Sequence, residues 1–476
     1  MGVKLLDAGF DDFVILERSG GVGGTWRRNT YPGAACDIQS ALYSFSFDVK
    51  RDWSRPYAPQ PEILAYFEQL AAKYGLLPYC RFNTEVGGLV WDATSAAWSV
   101  HLSTGEALTV QAVVSAIGMF NELVRPDIPG LDSFEGTVFH SAEWDWDQDL
   151  RDKQVAVIGS AASAVQLVPE IVKEAGRVYL FQRTANWVLP KQDVPYTEQE
   201  LSAFRSDAAA VDGLRDEIFQ RVERTVTFSD PEVMAASQAA GLAALDTVTD
   251  PTVRGKLLPD HPWGCKRPLF SNDYYPAFNR PNLELVTEPV SHLSESAIVT
   301  TDGTAREVDT VVLATGFSAT RFLSAIDVRG RDGLHIEEAW RDGARAYLGI
   351  TTSGFPNLFM LYGPNTNNGS ILTMIESQVD HVVAHLERMV DQGLAWIDVR
   401  PEAMARYNAE IQEGITKVTV WQASCNGYYR SPSGRVVTQW PFNMGEFRRR
   451  CEQVDWADFE DSRAAGEDRP VAEGVA

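Results

Sequence analysis

The chain has 476 residues, of which 45% are hydrophobic and 22% charged, with a formal net charge of −23. That length exceeds one ordinary core and points to two domains, with the composition of a globular enzyme. The acidic balance excludes a nucleic-acid partner, which needs a basic stripe, and no apolar run approaches the roughly 20 residues of a membrane-spanning helix.

Taken in order, residues 3–9 read as the last turns of a helix closed by Gly9. Residues 13–18 (Phe-Val-Ile-Leu-Glu-Arg) form a short apolar run ending in polar residues. Residues 23–37 are too glycine-rich and irregular for a core element and read as a loop against a large flat ligand. A β-rich run at 112–118 closes on Gly118. The same pattern recurs: a strand at 154–158, then Gly159-Ser160-Ala161-Ala162-Ser163-Ala164 opening a helix, an apolar run at 178–183, and a β-rich run at 309–317. Such continuous apolar runs suit parallel strands covered by helices on both faces. The fold class is therefore α/β with two doubly wound dinucleotide-binding units. Within the second unit, a capping-box start at Thr197 opens a helical insertion near 196–262. The acidic stretch 457–476 reads as a flexible tail. Five scattered cysteines (Cys36, Cys80, Cys265, Cys425 and Cys451) without C-x-x-C spacing fit a reduced, cytoplasmic protein with no metal and no disulfide framework.

The glycine loop of the second unit is G-x-G-x-x-G with alanine at its second and third glycines, a form that still presents backbone amides to a pyrophosphate. At the downstream position where an NAD site carries a carboxylate stands Gln182-Arg183-Thr184. A guanidinium there suits a 2′-phosphate and selects NADPH. In the first unit the equivalent position is Glu17, the acid expected for an adenosine ribose. Gly159 precedes Gln182 by 23 positions, and the same offset from Glu17 falls ahead of Met1. The first strand and glycine loop of that unit are thus expected to be missing. A start placed about two dozen codons late explains this better than a non-catalytic remnant that binds NADPH alone.

Several motifs then carry a resemblance. The signature F-x-G-x-x-x-H-x-x-x-W-[P or D] stands here as Phe134, Gly136, His140, Trp144 and Asp145, and G-G-x-W…Y-P-G…D as Gly23, Gly24, Trp26, Tyr31, Pro32, Gly33 and Asp37. With Lys266-Arg267-Pro268, Ala314-Thr315-Gly316-Phe317 and Gly363-Pro364-Asn365-Thr366, the chain resembles the Baeyer–Villiger monooxygenases, within the flavin-containing monooxygenase class. Trp144-Asp145 favours that branch over the nitrogen- and sulfur-oxidising relatives, whose chemistry is the alternative reading.

The resemblance implies FAD and NADPH as cofactors, dioxygen and a small ketone as substrates, and formation of an ester or lactone through a flavin peroxide. It implies an NADPH domain (151–320, carrying the insertion) set into a discontinuous FAD domain (1–124 and 321–456), with 125–150 as a linker holding the signature. Arg267 is implied as the fixed positive charge beside the reacting oxygen, and Asp37 as the carboxylate that orients it. FAD contacts fall to Glu17, Gly24, Thr25, Trp26, Asp37, Tyr43 and Val86. NADP contacts fall to Gly159, Ser160, Ala161, Ser163, Arg183, Thr184 and Lys266. His140, with Trp144, is expected to couple domain movement to NADPH binding rather than to act as a base. A monomer or small homo-oligomer is expected.

Overall fold

The computed structural model describes residues 1–463 apart from 424–426 and 428. Helix α1 (Gly2–Asp7) ends as the sequence suggests, with the Gly9 N–H on the Leu6 carbonyl at 3.0 Å and the Phe10 N–H on the Leu5 carbonyl at 2.8 Å. These are the paired bonds of a glycine-terminated helix. Strand β1 (Ile15–Leu16), α2 (Thr25–Arg28) and α3 (Gln60–Lys73) lead to β2 (Cys80–Arg81), which lies parallel to β1. An antiparallel meander follows, β3 (Val86–Asp92), β4 (Ala97–Leu102) and β5 (Ala107–Val110), and then β6 (Val113–Ser115). The run 23–37, expected as plain loop, thus holds one helical turn, α2.

The second unit comprises β7 (Thr137–His140), β8 (Gln154–Ile158), α4 (Ala162–Ile171), β9 (Arg177–Phe181) and β10 (Val188–Leu189). The insertion is four helices, α5 (Glu198–Ser206), α6 (Ala208–Thr225), α7 (Pro231–Leu245) and α8 (Pro251–Leu257). At its start Thr197 and Glu200 exchange the two expected capping bonds. Then come β11 (Leu269–Phe270), α9 (Tyr274–Ala277), β12 (Leu283–Val286), a meander of β13 (Val290–Leu293), β14 (Ala297–Thr300) and β15 (Ala305–Glu307), and β16 (Thr310–Leu313). The parallel sheet runs β12-β9-β8-β16-β7. Val155, Val157, Val178 and Leu180 face α4 and the insertion. Ala156, Phe181 and Leu313 face Phe134, Leu293 and Ile298, so a turn and the meander cover the side where helices were expected.

The chain then returns to the first unit through β17 (Asp327–Arg329), α10 (Ile336–Ala339), β18 (Leu358–Met360), α11 (Ile371–Gln392), β19 (Leu394–Val399), α12 (Pro401–Lys417), α13 (Met444–Glu452) and β20 (Phe459–Arg463). Strand β17 pairs with β3 and β18 with β6, which makes the first unit discontinuous in sequence. Its parallel strands stand as three separate pairs, β1 with β2, β3 with β17 and β6 with β18.

Three further expectations change. The 125–150 segment is not a free linker, because Thr137–His140 adds β7 to the edge of the sheet alongside β16. Phe459–Arg463, expected within a flexible tail, forms β20 against β19, anchored by a buried Phe459; residues 464–476 of that tail lie outside the described residues. Cys265 is disulfide-bonded, whereas Cys36, Cys80 and Cys451 are free, and Cys425 lies outside the described residues. No helix among the described residues is long and apolar enough to cross a membrane.

The seam under β20 holds a histidine pair. His381 and His385, one turn apart on α11, lie 4.5 Å between ring centroids and are fully buried against Phe359, Trp456 and Phe459. Each donates from Nδ1 to a carbonyl, of Cys451 and His381 respectively, and neither Nε2 has a partner. Burial brings the pKa of His381 down to about 4 and that of His385 well below the usual value. Both are neutral in the fold and protonate first in the unfolded chain, so they weaken the fold as pH drops below 6.5, by up to about 1.4 kcal/mol per pH unit each. Asp398, pushed up to about 7 by burial, opposes them over the same window. The histidine contribution is therefore read as a difference: between pH 7 and 4.5 the melting temperature of His385→Leu is expected to fall less steeply than that of the wild type, and parallel curves would contradict this.

Candidate functional site

The second unit builds an anion-binding corner. Strand β8 ends at Gly159, whose φ is +110° and where a Cβ would stand 2.3 Å from the Ala314 carbonyl oxygen at the end of β16. Only glycine lets the turn cross that strand. Ala161 is the N-cap of α4, and neither a capping side chain nor an acidic residue occupies its first turn. The amides around Ala162 and Ser163 are thus left for a ligand, at the positive end of the helix. Ser160 is tied down, its hydroxyl on the Thr184 carbonyl at 3.3 Å and its own carbonyl accepting from Asn186 at 3.0 Å.

Beside it, the Lys266 ammonium donates to the Thr184 hydroxyl at 2.8 Å. Burial, opposed by Asp260 and reinforced by the neighbouring Arg183, holds the Lys266 pKa below the usual lysine value. Gln182 is buried and donates to the Lys256 carbonyl at 2.9 Å, which turns it away and leaves Arg183 exposed. Two cations share this corner, and their paired charge suits a doubly charged anion such as a phosphate. The donor set fits a phosphorylated dinucleotide.

The first unit contributes the loop after α2. Its Gly33 has φ +81°, and a Cβ there would lie 2.5 Å from the Gln166 carbonyl oxygen on α4. The Gln166 side chain reaches back, accepting from the Tyr31 hydroxyl at 2.8 Å and donating to the Ala35 carbonyl at 2.9 Å. Burial pushes Tyr31 up to about 12, so it stays a neutral donor. Burial likewise raises the Cys36 thiol, which keeps it protonated and inert. The loop thereby carries Asp37 to Arg267, 230 residues away in sequence. The guanidinium binds one oxygen of Asp37 through both Nε, at 3.1 Å, and a terminal nitrogen. The two side chains keep about a third of their surface open, 33% for Arg267 and 27% for Asp37. Trp26 donates to the Tyr43 hydroxyl at 3.0 Å, with the rings edge to face. Thr25 and Gly24 at the head of α2 are exposed.

Glu17 follows β1 and Val86 begins β3. The Glu17 carboxylate accepts from the Ser19 N–H at 2.7 Å, and Val86 opens β3 opposite Leu102. No hydrogen bond among the described residues joins either to Trp26, Asp37 or Arg267.

The signature residues lie where the units meet. Phe134 and Gly136 lead into β7, and His140 ends it, buried, its Nδ1 accepting from the Ala142 N–H at 3.1 Å. Burial depresses its pKa, and the ring packs edge-on against Phe317. Trp144 packs on Phe139, and the Asp145 carboxylate accepts from the Asp147 N–H at 3.0 Å. Glu143 in this turn receives Arg28, and Trp146 donates to Thr30. The turn therefore grips the loop that carries Asp37.

Gln166 is the member that the sequence reading lacked. The one available signal was a long polar side chain amid the apolar residues of α4. A cleft of about 710 Å³ between the insertion and the C-terminal helices, lined by Thr227, Lys417, Phe442 and Arg449, contains none of the residues above. Among the described residues no cluster of three or more His, Cys, Asp or Glu could hold a metal.

Residues 6–216 match the family described as flavin-binding monooxygenase-like. A Baeyer–Villiger monooxygenase of Streptomyces coelicolor is 42% identical over 470 residues, spanning 97% of this chain and 90% of that protein. Cyclohexanone monooxygenase from Rhodococcus sp. Phi1 bound to NADP+ superposes with a TM-score of 0.87 at 29% identity, over 97% of each chain. The OTEMO complex with FAD and NADP gives 0.83 at 28% identity, over 97% of this chain and 96% of that one.

Because Gly33 combines a left-handed backbone with contact against α4, Gly33→Ala is expected to lower stability by about 1–3 kcal/mol. Denaturant titration checks this, and an unchanged midpoint would contradict the close packing of the loop.

Proposed function

The chain belongs to the flavin-binding monooxygenase-like family as a Baeyer–Villiger monooxygenase using FAD and NADPH, and from that premise we propose that Arg267 and Asp37 run its chemistry, turning a small ketone into an ester or lactone. The single observation carrying this reading is the half-open ion pair between them. FAD and NADPH, when bound, would supply the redox chemistry by which dioxygen is activated.

Arg267 is charged at any working pH and stabilises negative charge as it develops on the reacting oxygen. Asp37 holds the guanidinium plane through two donors on one carboxylate oxygen. Gly24, Thr25, Trp26 and Tyr43 would hold the flavin, and Trp26 and Tyr43 brace each other. Glu17 would hold the adenosine ribose, with Val86 as a further FAD contact. Gly159, Ser160, Ala161 and Ser163 offer the head of α4 to the NADPH pyrophosphate, and Arg183, Thr184 and Lys266 hold its 2′-phosphate. Phe134, Gly136, His140, Trp144 and Asp145 couple the nucleotide-bearing sheet to the flavin loop, through Glu143 and Arg28.

Arg267→Ala is expected to leave bleaching of the flavin by NADPH within about threefold of wild type while ester yield falls by about 100-fold or more, the scale of losing a preorganised charge. Mass spectrometry of the products reads the outcome, and normal ester yield would remove the assignment. Arg183→Ala is expected to raise KM for NADPH about tenfold, worth about 1.4 kcal/mol, with KM for NADH unchanged. Equal effects on the two coenzymes would move the 2′-phosphate elsewhere.

A further inference from the structure

Helix α6 of the insertion reaches across to both pieces of the first unit. At its middle, one Arg215 guanidinium nitrogen donates to the carbonyls of Ala41 at 2.9 Å, Leu42 at 3.4 Å and Ser44 at 2.8 Å. These carbonyls close the single turn that begins two residues after Asp37 and contains Tyr43. Arg221 adds a bond to the Gln39 side chain at 2.5 Å, and Ile218 packs against Ala41 and Leu42 in a small apolar cluster. One turn further, the Glu223 carboxylate accepts from the Met444 and Gly445 N–H groups, both at 2.7 Å, at the head of α13. The Val226 carbonyl, just past the helix, accepts from Asn368 at 2.8 Å, next to the Gly363-Pro364-Asn365-Thr366 run.

We infer that Arg215 is a positioning residue for the oxygenation reaction: it fixes the 39–44 turn, and through that turn the placement of Asp37 against Arg267. This rests on the reading of Asp37 as the residue that orients Arg267. The turn has no sheet partner of its own. Its other anchors come from the same unit and include the Ser40 N–H and hydroxyl on the Pro56 carbonyl, the Ala58 N–H on the Ser40 hydroxyl, Ser44 on Ser40, and the indoles of Trp53 on Ser44 and Trp26 on Tyr43. Arg215 is the cation that the inserted unit sends to the carbonyl end of that turn, where positive charge meets the negative pole of the peptide dipoles. An unmet carbonyl at this half-buried seam would be costly, so loss of the guanidinium shifts the turn rather than leaving a gap. Asp37 lies two residues upstream of Gln39 and moves with it. The insertion is thus a brace on the reacting group and not an inert appendage.

The test compares Arg215→Ala, Arg215→Lys, Asp37→Ala and the Arg215→Ala/Asp37→Ala pair in FAD-loaded enzyme, reading ester formed per NADPH consumed. Arg215→Ala is expected to lower that ratio about tenfold, the scale of a displaced catalytic group, and Arg215→Lys to recover most of it. In the Asp37→Ala background the same change is expected to cost under about twofold, because groups acting through one another are not additive. A second readout, independent of turnover, is amide hydrogen exchange, which is expected to quicken over 38–46 and stay unchanged over 162–171. Should Arg215→Ala melt below the assay temperature, Arg215→Gln carries the same comparisons. If Asp37→Ala leaves the ester ratio intact, the underlying reading of Asp37 falls and this inference falls with it. If Asp37→Ala uncouples but Arg215→Ala does not, if the two losses multiply, or if exchange over 38–46 is unchanged, the inference alone is overturned.

Discussion

An arginine placed to meet developing negative charge has to be held in a fixed plane. The pairing of Arg267 with Asp37 meets that demand, since two guanidinium nitrogens converge on one carboxylate oxygen. Half-exposed ion pairs of this kind add little to stability, typically 0–1 kcal/mol. The pair is therefore better understood as an aiming device than as a clamp. Its two halves come from different units, Asp37 from the loop of the first and Arg267 from the second, so aim depends on how those units are registered. Much of the surrounding structure does that registering: Gln166 under the loop, Arg28 on Glu143, and Arg215 behind the following turn.

The parts of this arrangement that were legible in the sequence are those dictated by near neighbours. The strand at 154–158, its glycine turn and the helix after it follow from apolar runs and one obligate glycine, and the structure holds all three. The capping box at Thr197 is likewise local. Arg183 beside a carboxylate-free position was readable because the crossover fixes the spacing between glycine loop and second strand. The structure adds why Gln182 does not compete: its amide is spent on Lys256.

What was not legible depends on distant partners. Strand β7 was hidden in a stretch read as linker, because an edge strand of four residues becomes one only when β16 lies beside it. Strand β20 was hidden in acidic sequence, where burial of Phe459 outweighs composition. Gln166, Arg215 and Glu223 carry no motif. Their meaning lies in carbonyls and amides more than a hundred residues away. The bond formed by Cys265 was equally invisible to spacing rules, which read isolated cysteines as reduced.

The two passages of the chain between units run side by side. Leu123 bridges Phe317, the Val124 N–H meets the Gly316 carbonyl at 2.9 Å, and the Thr315 hydroxyl binds the Val124 carbonyl. Two covalent tethers bonded together in this way behave as one axle. Rotation of the nucleotide-bearing sheet about it lengthens neither tether, and sliding is resisted by both. Groups near the axle, such as His140 against Phe317, travel little during such a swing. The bonds that α6 makes to the 39–44 turn and to the head of α13 are what such a swing would have to break.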